Sequence, residues 1–229
     1  MLLGVGAAVG WYLWLARRLG QASPHSWTIL LSALFFGSLG AKLMSVALVA
    51  GQYPTFGFIQ FLYSGRSIIG GLLGGWLGVV LVKRVLGLRA RQGNLIAPAA
   101  ALGIAVGRIG CLLGSCCYGK PTSLPVGIDF GDGQFRHPTQ VYEALFALGL
   151  FIYFNLENGK HPAPGILFQR FLLAYFSFRF LVGFLRTEPD CWLGLGVFQL
   201  FSLVAVALLL WRGWRSRRER QQLRHPLSA

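Results

Sequence analysis

Seven apolar stretches, at about residues 2–16, 27–50, 67–82, 94–113, 139–154, 165–185 and 193–211, alternate with short polar or glycine-bearing segments. Several approach the roughly 20 residues that a helix needs to cross a bilayer, while the first and third are shorter. The pattern predicts an all-α polytopic membrane protein with seven transmembrane helices. These form one membrane domain over residues 1–213, followed by a basic tail over 214–229. Composition agrees, since 55% hydrophobic and 14% aromatic residues with 31 glycines belong to a membrane protein and not to a soluble domain.

Charge adds a direction to the pattern, because short cytoplasmic loops retain Lys and Arg. With the N-terminus outside and the C-terminus inside, the cytoplasmic segments hold Arg17, Arg18, Lys83, Arg84, Arg89, Arg91, Lys160, Arg212, Arg215, Arg217, Arg218, Arg220 and Arg224, thirteen of the twenty-one basic residues. The first stretch is expected to remain as a helix and not to be a cleaved signal, since Arg17 and Arg18 follow its apolar run instead of preceding it. Most of the net charge of +14 is then topology and attraction to anionic headgroups, at about 1 kcal/mol per basic group. No fold supports a nucleic-acid partner for the basic tail.

Taking thirteen from twenty-one leaves eight cations without a topological reason: Lys42, Arg66, Arg108, Lys120, Arg136, Arg170, Arg179 and Arg186. An ionisable residue at the centre of a span costs about 2.5–3.5 kcal/mol, so it faces a partner or a cavity. Of the seven acids, Glu157 and Glu219 fall on the cytoplasmic side, which leaves Asp129, Asp132, Glu143, Glu188 and Asp190 against eight cations. A bound anion closes the gap. In a bilayer that anion is a phospholipid phosphate, which the planar fork of arginine bonds through two parallel hydrogen bonds. Arg179 and Arg186, seven residues apart, are expected on one face of the sixth helix.

Two local patterns refine this picture. Gly70, Gly74 and Gly78, and likewise Gly71 and Gly75, recur every four residues, a spacing that lets transmembrane backbones approach closely. In "FRHPTQVYEALF", residues 135–146, Pro138 fits the first turn of a helix that then places Gln140 and Glu143 on one face. A histidine, an amide and a carboxylate thus enter the membrane together. Among the cysteines Cys111, Cys116, Cys117 and Cys191, no pair has the two-residue separation of a metal or redox motif. No metal and no cofactor is expected.

Together these motifs resemble one family. "GRIGCLLGSCCYGKPT" (107–122), "RHPTQVYEA" (136–144), "YFSFRFLVGFLRTEPD" (175–190) and "GVFQLFSL" (196–203) are similar to motifs of the prolipoprotein diacylglyceryl transferases, and the likeness runs from about residue 40 to 202. The resemblance implies a multi-pass enzyme of the bacterial inner (cytoplasmic) membrane, N-terminus outside. Such an enzyme transfers diacylglyceryl from phosphatidylglycerol to the lipobox cysteine of prolipoprotein signal peptides. It also implies that Arg108 holds the lipid phosphate and that Arg179 is a second essential arginine, with Gly119 and the stretch from Arg136 to Glu143 in the same site. The chain is a divergent member: Ile69 stands where the family has the histidine that takes the acceptor's proton, Cys111 and Cys116 replace Asn and Glu, and Gly183 replaces a carboxylate.

The candidate site therefore contains Arg108, Arg179, His137 and Glu143 as catalytic groups and Arg136, Gln140, Tyr142, Gly119, Lys120, Arg186 and Arg66 as substrate contacts. Its reaction is displacement by a thiolate at the glycerol carbon that bears the phosphodiester. Fixed arginines stabilise the charge that grows on the phosphate. With Ile69 unable to accept a proton, His137 or Glu143 is the candidate base, or the thiol ionises in the field of the arginines. Two other readings stay open: a related lipid-headgroup transferase with a different acceptor, and a noncatalytic phospholipid-binding membrane protein.

Overall fold

A computed structural model describes residues 2–49, 67–88, 92–160, 162–187 and 190–222. Among them are seven helices: α1 Leu2–Arg18, α2 Ser26–Val49, α3 Ile68–Val85, α4 Gly93–Leu113, α5 Thr139–Asn158, α6 Ile166–Gly183 and α7 Val197–Gln222. Two short antiparallel hairpins accompany them, β1 Ile128–Asp129 with β2 Phe135–Arg136, and β3 Asp190–Trp192 with β4 Leu195–Gly196. Helices α2 to α7 are long and apolar enough to cross a membrane, and α1 is the short one at 17 residues. The last apolar stretch divides, its first residues forming the β3–β4 hairpin before α7 begins. Helix α7 then runs unbroken through residues 214–222, the start of the predicted tail. Arg66, Arg89, Arg91, Glu188 and Arg224 lie outside the described residues, as do the side chains of Asp190, Cys191 and the α7 residues from 216 onward.

The chain separates into two compact units, residues 17–92 and residues 1–16 with 93–229. The smaller unit is built on α2 and α3, whose backbones touch because glycine faces glycine. A Cβ added at Gly74 would stand 2.9 Å from the Gly40 Cα and closer still to the Phe36 carbonyl oxygen; one at Gly70 would collide with the Gly40 oxygen. The four-residue glycine spacing is thus a packing device. Ser67 caps α3, its Oγ accepting from the Gly70 N–H at 3.2 Å, and Ile69 is buried in the first turn.

In the larger unit, Gly4 of α1 packs against Gly103 and Gly107 of α4, and Trp11 Nε1 donates to Asn155 Oδ1 of α5 at 3.0 Å. Between α5 and α6 lies an aromatic core, in which Phe146 and Phe178 stack at 4.0 Å and Phe154, Phe171 and Tyr175 continue the series. One end is closed by amides. Asn158 Nδ2 donates to the Asn94 carbonyl, Asn94 Nδ2 donates to the carbonyls of Pro162 and Ala163, and Asn94 Oδ1 accepts from the Leu167 N–H. One of the orphan donors in the first turn of α6, the Leu167 N–H, is thereby satisfied.

Gly74→Ala is expected to lower stability by about 1–3 kcal/mol through overpacking, seen as a lower melting temperature in detergent. Gly6→Ala, where an added Cβ meets nothing within 4 Å, should not lower it. Equal melting of the two variants would show that the α2–α3 contact is not tight.

Candidate functional site

Past the end of α4, the chain is stitched to two other segments by backbone hydrogen bonds. Gly119 N–H donates to the His137 carbonyl (2.8 Å), His137 N–H to the Lys120 carbonyl (3.1 Å), Thr122 N–H to the Phe135 carbonyl (2.8 Å) and Lys120 N–H to the Leu185 carbonyl (2.7 Å). Isolated bridges pair Gly119 with Arg186 and Pro121 with Arg136. Gly119 is required at the centre of this seam, where an added Cβ would meet His137, Thr139 and the Leu185 carbonyl oxygen. The three sequence motifs are therefore brought together by main-chain pairing.

Beneath the seam lies a buried ion cluster. Glu143, fully enclosed, has Oε2 2.5 Å from Arg108 Nη2 and Oε1 3.2 Å from Arg186 Nη1. Arg108 and Arg179 are only 6% and 5% exposed. Tyr175, also buried, stands within electrostatic reach of Glu143, Arg108 and Arg179, and the Arg179 guanidinium lies 5.4 Å from the Phe198 ring centroid. Two guanidinium groups thus share one carboxylate, and a third, that of Arg179, lies within electrostatic reach of the adjoining Tyr175. Arg108 Nε and Gln140 Oε1 are buried with no hydrogen-bond partner among the described residues. Such atoms are uncommon in native folds and fit a site that a polar ligand completes.

The expected helix face shared by Arg179 and Arg186 is corrected here. Helix α6 ends at Gly183, and the chain tightens into a turn in which Leu185 N–H donates to the Val182 carbonyl and Arg186 N–H to the Gly183 carbonyl. Arg186 reaches Glu143 from beyond the helix. Gly183 leaves the space that the Gln199 side chain fills, and Gln199 Nε2 donates to the Phe180 carbonyl at 3.3 Å while its Oε1 accepts from the Gly196 N–H at 2.9 Å.

Other predicted residues take different places. Gln140 is buried beside Glu143, its Nε2 donating to the Cys116 carbonyl at 2.6 Å. His137 is half-buried, with Nδ1 3.3 Å from Tyr142 Oη. Lys120 is exposed, contributing its backbone to the seam. Arg136 sits on the β1–β2 hairpin, paired with Asp132 at 2.6 Å and 5.1 Å from the Tyr118 ring centroid. Its hydrogen bond holds the exposed Asp132 carboxyl below the usual range. Arg170 is corrected: its partner is Glu157 at 3.3 Å, which also pairs with Lys160, so it belongs to the charges of the α5–α6 connection. Tyr175 escaped sequence reasoning because a tyrosine within an aromatic run carries no signal of its own, although its four-residue offset from Arg179 places both on one helix face.

The cysteines lie at the edge of this site. All three described thiols are free, and their sulfurs lie within 4.8 Å of one another. A hydrogen bond from Cys111, aided by the positive charges of Arg186 and Arg108, brings the Cys117 thiol down to about 5, whereas burial raises Cys116.

Fold and site together define a helical membrane protein with a buried cluster of arginines around one carboxylate. The chain belongs to the prolipoprotein diacylglyceryl transferase family, whose pattern matches residues 1–214. Its relatives include proteins named phosphatidylglycerol–prolipoprotein diacylglyceryl transferase. That of Clostridium tetani is 31% identical over 195 residues, covering 82% of this chain and 78% of the relative. One from Dehalococcoides mccartyi is 32% identical over 228 residues (91% and 84%), and one from Geobacter sulfurreducens 39% over 153 residues (64% and 58%).

Two outcomes are expected. Glu143→Ala leaves the buried Arg108 and the half-buried Arg186 without their shared carboxylate, a loss of about 3–5 kcal/mol that should appear as a marked fall in melting temperature; unchanged melting would rule out the bridging role. At pH 6, above the Cys117 value and below those of Cys111 and Cys116, Cys117 alone among the described thiols is largely thiolate. Iodoacetamide should therefore label Cys117 first at that pH, as read by tandem mass spectrometry, and lose this preference below about pH 5. Equal labelling at pH 6 would contradict the assignment.

Proposed function

We propose that this protein transfers diacylglyceryl from phosphatidylglycerol to the thiol of a lipobox cysteine. It does so as a seven-span enzyme of the bacterial inner membrane with its N-terminus outside and C-terminus inside. The observation that carries this reading is the buried cluster itself: Arg108 and Arg186 share the enclosed carboxylate of Glu143, and Arg179 is buried within electrostatic reach of the neighbouring Tyr175. In the reaction a thiolate carrying one negative charge meets a phosphodiester carrying one. The new bond is sulfur to glycerol carbon, the broken bond is carbon to phosphate oxygen, and the electron pair leaves with glycerol phosphate, which then carries two negative charges. A preorganised cationic site stabilises that growing charge more than the starting diester.

In this reading Arg108 and Arg179 hold the phosphate, with the unused Arg108 Nε as a further donor. Glu143 and Arg186 are positioning residues that fix Arg108. Gln140 and the Gly119 seam hold the loop over the site, and His137, oriented by Tyr142, takes the acceptor's proton at the entrance. Arg136, Lys120 and Arg66 are assigned to the approach of the headgroup and the signal peptide. The positive-inside distribution of Lys and Arg supports the orientation, and residues 214–229 form its cytoplasmic end.

The test is purified protein in phosphatidylglycerol liposomes with a lipobox peptide, following thioether formation and glycerol phosphate release. Arg108→Ala and Arg179→Ala should each lower turnover by about 100-fold or more. Arg108→Lys should recover only part of this, because an ammonium lacks the planar fork. Release of glycerol phosphate without peptide modification would indicate another acceptor; lipid binding without release would indicate a binding protein. His137→Ala should lower turnover at least about tenfold and remove a limb of histidine type from the pH profile. Full activity with an unchanged profile would remove His137 from the chemistry.

A further inference from the structure

The cysteine cluster has no role in the transfer reaction, whose thiol arrives with the acceptor. Its geometry is nevertheless built. After α4 the chain reverses so that the Cys116 N–H donates to the Cys111 carbonyl at 3.1 Å, with Ser115 at φ 46° and Cys117 at φ 65°. Left-handed backbone at a non-glycine residue costs about 1–3 kcal/mol and persists where its surroundings enforce it. Here the enforcing groups are Gln140 Nε2 on the Cys116 carbonyl (2.6 Å), and Thr139 Oγ1 (2.8 Å) and Arg186 Nη1 (3.2 Å) on the Cys117 carbonyl. The turn folds Cys116 and Cys117 back over Cys111, giving three free sulfurs within 4.8 Å of one another.

We propose that Cys111, Cys116 and Cys117 form a binding site for one thiophilic d10 metal ion, held as a tris-thiolate complex. Sulfur ligands stand about 2.3 Å from such an ion, and three of them are then about 4 Å apart. The cluster therefore needs to contract by less than about 1 Å, a change within the reach of side-chain rotation. Soft thiolates select d10 ions over the hard cations that prefer oxygen. Charge agrees: three thiolates give a net charge of −1 around a divalent ion and −2 around a monovalent one, and Arg108 and Arg186 stand close enough to act electrostatically on Cys117. A complex that would be costly in a neutral apolar setting is here beside two fixed cations. Exposure of Cys116 and Cys117 gives the ion a way in and leaves one side of the complex open to solvent. The spacing of the three cysteines hid the site, because a metal motif is read from two-residue separations, whereas the reversal after Leu113 makes neighbours of positions 111 and 116. The proposal does not depend on the transferase reading, and its test uses no turnover.

Full-length protein, reduced and purified in detergent, is titrated with Cd2+, whose thiolate complexes absorb in the near ultraviolet. We expect a charge-transfer band that saturates at one ion per chain and persists in Cys191→Ala. Cys111→Ser and Cys116→Ala should each lose it while melting as the parent does. In the parent, bound Cd2+ should protect all three cysteines from iodoacetamide, a reading that requires no variant. No band, saturation at a different stoichiometry, a band that survives Cys111→Ser, dependence on Cys191, or labelling unaffected by Cd2+ would each overturn the proposal.

Discussion

Glu143 is the constraint on which the rest of the site depends. A carboxylate fully enclosed in a membrane helix is tolerable only beside cations, and the structure supplies two from different parts of the chain, Arg108 from α4 and Arg186 from the turn after α6. Because α5 carries the carboxylate, the pairing joins three elements through one residue. The same requirement explains why the backbone seam at Gly119 is so closely packed. Arg186 bonds both the Cys117 carbonyl and Glu143, so the loop above and the cluster below cannot move independently.

Much of this was legible in the sequence for a physical reason. Hydrophobic blocks of bilayer length can hardly be anything but helices, and charges inside them must face something. That argument reached Arg108, Arg179, Glu143 and Gln140 without a structure, and the buried positions of all four agree with it. It failed where partners are chosen by local geometry. Arg136 and Arg170 looked like unmatched cations, yet each has a carboxylate beside it, Asp132 within the same hairpin and Glu157 on the neighbouring helix. A charge count over the whole chain cannot see such short-range neutralisation. The seam of residues 119–122, 135–137 and 185–186 was equally invisible, because backbone pairing between distant segments leaves no periodicity in composition.

Glycine does different work in the two units. In residues 17–92 it permits backbone contact between α2 and α3, so its spacing is the message and was readable. Around the site the message is positional: Gly119 makes room for the Leu185 carbonyl and the side chains of His137 and Thr139, and Gly183 for the Gln199 side chain. Neither lies in a four-residue repeat with a partner across a helix pair. Only the resemblance to a family motif singled them out, and only the packing says why a side chain is excluded.

The departures from the family pattern form a consistent set when weighed as charge. On the resemblance read from the sequence motifs, Cys116 takes the place of a glutamate and Gly183 that of another carboxylate, while Arg108, Arg179 and Arg186 are retained. Removing two acids from the neighbourhood of three arginines raises the local positive potential. That field lowers the pKa of a nearby thiol; at Cys117, where a hydrogen bond from Cys111 is the main cause of the low value, Arg186 and Arg108 add to it. Ile69, buried and unable to take a proton, is on the same resemblance the residue in place of the family's histidine. On the proposed reading, an acceptor thiol entering a more cationic site requires a weaker base, so the loss of the carboxylates compensates for the loss of the histidine. On that same proposal His137 beside Tyr142 suffices as the base, because the arginines share the work of ionising the thiol.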